Sequence, residues 1–275
     1  MFSHNLTLSL RRVSSQAKRG VTRGSTRSFS SINEEEFDNF NRYDKWWKDS
    51  PEMRPLHAYN KLRVEFMREY LIQDNDGVVT PDFFNNLKAL DVGSGGGILS
   101  ESLGRLGCQT LGIDPTPMSI KVAKEHLCND LELVEKVKYK QTTIEELVED
   151  EEHQNKYDFA ASMEVIEHVN NQAEFVKNIA KAVKPNGLIF LSTLAKTTES
   201  WLLSIKLAED LLGFVPRGTH NWDKYVNPEV LHEMVENAGF RVLKTQGAMY
   251  EPITNQMIYW PCTNVNYMMV GKKLY

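Results

Sequence analysis

Ala89-Leu90-Asp91-Val92-Gly93-Ser94-Gly95-Gly96-Gly97-Ile98 reads as a short apolar strand, a glycine turn and the first residue of a helix. Glycine accepts positive φ, and without a Cβ it lets a ligand lie against the backbone. In an open α/β sheet, the carboxyl end of a strand is where ligands bind. Two ligand classes compete for such a loop. The dinucleotide fingerprint G-x-G-x-x-G wants a third small residue for helix packing. Counting from Gly93 and Gly95, that position holds Ile98, a poor fit. The spacing present is Gly93-x-Gly95-x-Gly97 behind Asp91. Asp114 ends the next candidate strand, where a carboxylate can accept two charge-assisted hydrogen bonds from ribose hydroxyls.

Outward from this loop, strands and helices alternate. The candidate strands are Ala89–Val92, Gln109–Ile113, Val137–Gln141, Phe159–Met163 and Leu188–Thr193, with helical spacing at Ser100–Leu106, Met118–Cys128 and Gln172–Val183. Residues 57–72 read as an earlier helix, and about Arg241–Gln246 and Asn266–Val270 as late strands. Such alternation implies a mostly parallel sheet with helices on both faces. The loop, Asp114 and Lys184-Pro185-Asn186-Gly187 before the fifth strand together resemble the motifs of class I S-adenosylmethionine-dependent methyltransferases. That resemblance implies a Rossmann-like α/β fold of seven strands, one of them antiparallel, and S-adenosylmethionine as methyl donor.

The first 33 residues carry Arg11, Arg12, Lys18, Arg19, Arg23 and Arg27 and no acid, are rich in Ser and Thr, and space Phe2, Leu6, Leu10 and Val13 on an apolar helix face. This is the pattern of a mitochondrial transit peptide, placed at 1–32. The rest, 33–275, is expected to be one domain, with a helical segment at 33–85 and an insertion at about 195–230. The net charge of -5 and the lack of a basic stripe beyond the first segment argue against nucleic acid. Cys108, Cys128 and Cys262 form no C-x-x-C pair and suggest no disulfide framework.

Ser162 to Val169 follows the fourth strand. If a helix begins near Glu164, then Glu164, Glu167 and His168 share one face. Two carboxylates and an imidazole suit a divalent ion. They equally suit local hydrogen bonding, and His168 suits a general base; spacing leaves these open.

The chain also resembles a narrower family, the ubiquinone biosynthesis O-methyltransferases in their mitochondrial form. Trp46-Trp47, Pro55-Leu56-His57 with Asn60 and Arg63, Ser192-Thr193-Leu194, Ser200-Trp201, Val215-Pro216, Pro252-Ile253-Thr254-Asn255 and Val265-Asn266-Tyr267-Met268 carry the likeness. The resemblance implies that Arg63 reaches the methionine carboxylate of the cofactor, Gly93 and Gly95 lie beneath it, Asp114 holds the ribose and Met163 lines the pocket. It also implies that Glu164, Glu167 and His168 ligate magnesium, with zinc or manganese as alternatives. The chain departs from the family at Ser94, where Cys is common, and at Ala195, where a polar residue is common. The implied reaction is O-methylation of a catechol-type hydroxyl on polyprenylated dihydroxybenzoate and demethylubiquinol. The implied setting is the matrix face of the inner membrane, within a multi-protein ubiquinone biosynthesis complex. Trp201, Ile205, Ala208, Leu212 and Val215 recur at helical spacing, with Arg217 following, as in a helix lying in a membrane interface. The rivals are a nicotinamide-dependent oxidoreductase, disfavoured by Ile98, and a non-catalytic methyltransferase-fold scaffold, disfavoured by the intact loop and acids.

Overall fold

The computed structural model describes residues 37–38, 40–51, 53–200 and 222–275. The expected transit peptide and the interfacial stretch Trp201–Val215 with Arg217 lie outside the described residues.

Helix α1 (Arg54–Asp74) opens on Pro55, whose fixed φ suits a first turn. Then β1 (Lys88–Val92), α2 (Ile98–Leu106), β2 (Gln109–Asp114), α3 (Pro117–Leu127), the short α4 (Leu131–Val134) and β3 (Val137–Gln141) follow. Next come α5 (Ile144–Glu149), β4 (Tyr157–Met163), α6 (Gln172–Ala182), β5 (Val183–Leu194), α7 (Pro228–Asn237), β6 (Phe240–Glu251), β7 (Gln256–Trp260) and β8 (Asn266–Lys273). Thr143 starts α5 with a capping box: its side chain accepts the Glu146 N–H, and Glu146 accepts the Thr143 N–H in return.

The strands form one sheet in the order β3-β2-β1-β4-β5-β8-β6-β7. β1 to β5 pair in parallel, and β8 runs antiparallel between β5 and β6. The α/β class and mostly parallel sheet are as expected, but the sheet has eight strands among the described residues rather than seven. The extra one, β7, pairs back antiparallel onto β6. Pro252 to Asn255, the last with positive φ, make the turn between β6 and β7, and no strand is expected from the sequence at Gln256–Trp260.

Side chains alternate across the sheet and build a core on each face. Leu90, Ala160, Ile189, Leu191 and Tyr267 face α5, α6 and α7; Ala89, Ala161, Met163, Phe190 and Met268 face α1 and α2. At the far end of β8, Lys273 is buried. Its Nζ donates to Asn155 Oδ1 (2.9 Å), Ala180 O (2.8 Å) and Val183 O (2.7 Å), tying down the carboxyl end of α6. Methionine there would keep the stem and strand those acceptors. Lys273→Met is expected to cost about 1.5–3 kcal/mol in urea unfolding, the scale of a hydrogen-bonded charge; an unchanged midpoint would contradict the anchoring role.

Candidate active site

β1 delivers Asp91 and Val92 to the carboxyl edge of the sheet, where the chain turns sharply. The N–H groups of Gly93 and Ser94 both donate to Ile113 O, at 2.8 and 2.9 Å, and tie the turn to β2. Gly93, Gly95 and Gly97 take φ of 78°, 51° and 88°, the left-handed region that favours glycine. At Gly97 space is closed as well, since a Cβ would run into the Tyr139 hydroxyl.

Asp114 stands at the end of β2, as expected. Its Oδ2 accepts the Gly95 N–H at 3.0 Å, and its Oδ1 accepts the Thr116 N–H at 2.8 Å and the Thr116 hydroxyl. Burial pushes its carboxyl above the usual range. Asp91 accepts the Ser100 hydroxyl at 2.6 Å. Its burial, helped by the nearby Asp114 charge, pushes its pKa up to about 7 against the lowering effects of Ser100 and Arg63.

Arg63 projects from α1 to the same edge and is buried. Its guanidinium lies 3.8 Å above the Tyr59 ring, and Nη2 is 3.2 Å from Glu164 Oε1. Its Nε is buried with no hydrogen-bond partner among the described residues. Such a donor calls for an anion, and a cofactor carboxylate would supply one. Met163 ends β4, buried on the α1 face of the sheet.

The expected helix from Glu164 is absent. Glu164 has φ 58°, a single 3-10 turn covers Ile166–His168, and α6 begins only at Gln172, where Asn171 accepts the Glu174 N–H. Glu164, Glu167 and His168 therefore do not share a helix face. Ser192 Oγ donates to Glu164 Oε1 at 2.8 Å, and Thr193 Oγ1 to Glu167 Oε2 at 2.9 Å. Ser192 and Thr193 are consecutive on β5 and point to opposite sheet faces. Glu164 meets Arg63 of α1, while Glu167 is buried against Thr193. Burial and the Glu164 charge push the Glu167 pKa up to about 7. His168 donates its N–H to Val165 O at 2.9 Å and meets Phe40 edge-on. Among the described residues, no three His, Cys, Asp or Glu side chains stand where they could hold a metal ion. The donor types suit a divalent cation; this arrangement of them does not.

For the methyl donor the fit is better. The glycine cradle, the unpaired Arg63 donor and the Asp114 carboxylate lie along one edge and match the methionine and ribose ends of S-adenosylmethionine. A cavity of about 250 Å³ opens elsewhere, on the outer side of Trp47 between Arg54, His57 and Lys61. None of the expected cofactor residues lines it, so the edge itself is the better candidate. Sequence reading missed Tyr59, Ser192 and Thr193 as site residues. The signal was the run of small hydroxyl side chains at the end of an otherwise apolar strand.

A methyltransferase domain family matches residues 61–245. A ubiquinone biosynthesis O-methyltransferase of Methylobacterium sp. (strain 4-46) is 39% identical over 83% of this chain and 90% of that protein. The mitochondrial enzyme of that name from Rattus norvegicus is 37% identical over 81% of this chain and 64% of its own length. The chain belongs to the ubiquinone biosynthesis O-methyltransferase family. It is an enzyme, an S-adenosylmethionine-dependent methyltransferase. Magnesium protoporphyrin IX methyltransferase from Synechocystis PCC 6803, solved with bound S-adenosylmethionine, shares the fold at TM-score 0.57 and 14% identity, over 86% of this chain and 94% of that one.

Asp91 makes the apo protein sensitive to pH. Its folded pKa of about 7 lies above the usual carboxylate value, so the folded state holds more protons between about pH 4 and pH 7. The stability it contributes is full at the acid end and is lost as pH rises through about 7. Asp91→Asn, which can still accept the Ser100 hydroxyl, should gain in melting temperature over the wild type on going from about pH 5 to about pH 8. A constant difference between the two proteins would return Asp91 to an ordinary pKa.

Proposed function

We propose that the protein moves the methyl group of S-adenosylmethionine to a catechol-type hydroxyl of polyprenylated dihydroxybenzoate and demethylubiquinol intermediates in ubiquinone biosynthesis. The observation that carries the mechanism is the position of His168. Its backbone bonds to Val165, and the Val165 side chain packs on Gly93, where a Cβ would overlap it. The Val165–His168 turn thus stands beside the cofactor loop, and the His168 ring meets Phe40, which stacks on the Trp46 that covers Gly95. A phenol has a pKa near 10 and is mostly protonated at neutral pH. In this reading His168 takes that proton as the oxygen attacks. When bound, S-adenosylmethionine supplies a methyl group on a positively charged sulfonium. Asp114 and Glu164 give the edge the negative potential that attracts such a cation. Arg63 and Asp114 hold the two ends of the cofactor, Gly93 and Gly95 let it lie against the backbone, and Met163 walls the pocket.

A metal-assisted form of the reaction is the second reading, favoured by two carboxylates and an imidazole within five residues. Magnesium there, or zinc or manganese, would lower the phenol pKa and orient the ring. It requires Glu164, Glu167 and His168 to converge from the positions they hold here.

The proposed setting is the matrix face of the mitochondrial inner membrane. Residues 1–32 serve as the targeting segment, and 33–275 form one domain. The 195–230 insertion meets the lipid that carries the prenyl tail, and the enzyme works within a multi-protein biosynthetic complex. Relatives named mitochondrial support the compartment. Among the described residues, no helix is long and apolar enough to cross a membrane.

Methyl transfer from labelled S-adenosylmethionine to a short-chain prenyl dihydroxybenzoate tests the reading. His168→Ala should lower turnover by about 10²–10⁴-fold while S-adenosylhomocysteine binding is kept. Turnover lost to a chelator and restored by magnesium would favour the metal-assisted form; indifference to chelator leaves His168 acting alone. No turnover beside tight S-adenosylhomocysteine binding would favour the scaffold.

A further inference from the structure

The carboxyl edge is crossed by aromatic side chains from the segment before α1. Trp46 rests on the glycine loop so closely that a Cβ on Gly95 would stand 2.8 Å from its ring, and one on Gly96 would overlap it. Four further ties hold this strap. Trp47 Nε1 donates to Gly96 O at 2.7 Å, and its ring stacks on His126 with centres 3.5 Å apart. Asn41 Oδ1 accepts the Met118 N–H at 3.2 Å. His57 Nε2 lies 3.0 Å from Trp46 O.

Phe40 joins two parts of the site. It stacks on Trp46, with centres 6.4 Å apart and planes 15° from parallel. It also meets His168 edge-on, at 5.1 Å and 84°. A chain of ring contacts therefore runs from Gly95 through Trp46 and Phe40 to His168. The Trp46 indole N–H is buried with no hydrogen-bond partner among the described residues. A buried donor left unmade is unfavourable, so Trp46 holds this seat without its full set of bonds. The seat is the face of the loop whose missing Cβ atoms let a ligand approach.

We propose that the cofactor displaces Trp46 from the glycine loop, and that Phe40 carries this movement to His168, so that the imidazole takes its working position only once the cofactor is seated. The proposal rests on the reading of the glycine loop as cofactor seat and of His168 as the base. It makes binding ordered, cofactor before phenol. It also makes the cofactor bind more weakly than an uncovered loop would, by the fraction of molecules in which the strap is open.

Calorimetric titration of the full chain with S-adenosylhomocysteine, combined with histidine ring signals in ¹H–¹⁵N spectra, tests both halves. His168→Gln assigns the His168 signal. In the wild type, S-adenosylhomocysteine should move that signal. Trp46→Ala should bind about fivefold or more tightly, a modest coupling between sites, and Trp46→Phe should return toward wild-type affinity. Phe40→Ala, with Phe40→Leu beside it to keep the bulk without the ring, should bind S-adenosylhomocysteine and leave the His168 signal unmoved. Thermal unfolding of each variant checks that it is folded. Weaker binding by Trp46→Ala would make the indole a wall of the pocket and overturn the displacement. A His168 signal that still follows the ligand in both Phe40 variants would overturn the relay. A wild type that binds no S-adenosylhomocysteine would remove the cofactor-seat reading itself, and the proposal with it.

Discussion

Two backbone N–H groups, those of Gly93 and Ser94, converge on one carbonyl, that of Ile113. This small constraint folds the chain back across the end of β2 as it leaves β1. It brings the Gly95 N–H onto the Asp114 carboxylate and aims the start of α2 at the edge. Only backbone with positive φ can make the turn, which is why three glycines stand where they do. Side chains from distant parts of the chain pack on this turn: Val165 on Gly93, Tyr139 on Gly97, and Trp46 over Gly95 and Gly96.

The same edge gathers charge that a protein interior resists. Asp91, Asp114 and Glu167 are buried, and Glu164 is mostly so. Burial raises the pKa of Asp91, Asp114 and Glu167. Hydroxyls of Ser100, Thr116, Ser192 and Thr193 and the guanidinium of Arg63 offset part of the cost. An edge held in this way tolerates its acids and favours a cationic guest. The architecture places those hydroxyls with economy. Adjacent residues on β5 serve opposite faces, so one strand end steadies two carboxylates that are only three positions apart in sequence.

That alternation is also why the carboxylates and the imidazole do not converge. Helical spacing would have put Glu164, Glu167 and His168 on one face. The left-handed backbone at Glu164 ends any such helix before it begins, and Ser192 and Thr193 give the two acids different partners. A metal centre here would have to be built by rearrangement of these side chains.

The sequence by itself determined the α/β class, the glycine loop, Asp114 at the second strand end and the family. Each of these rests on local pattern: apolar period, glycine at forced backbone angles, and an acid at a fixed distance from the loop. Arg63 was legible through resemblance alone, since nothing local shows that a helix residue 28 positions before Asp91 reaches the same edge. The tertiary structure decided the eighth strand, whose pairing depends on β6 extending to Glu251. It decided the different partners of Glu164 and Glu167, because which hydroxyl a carboxylate meets depends on a neighbouring strand 28 residues away from Glu164. It decided the aromatic strap as well. His168 is distant in sequence from Phe40 and Trp46, and only the closing of the sheet edge brings the three rings together.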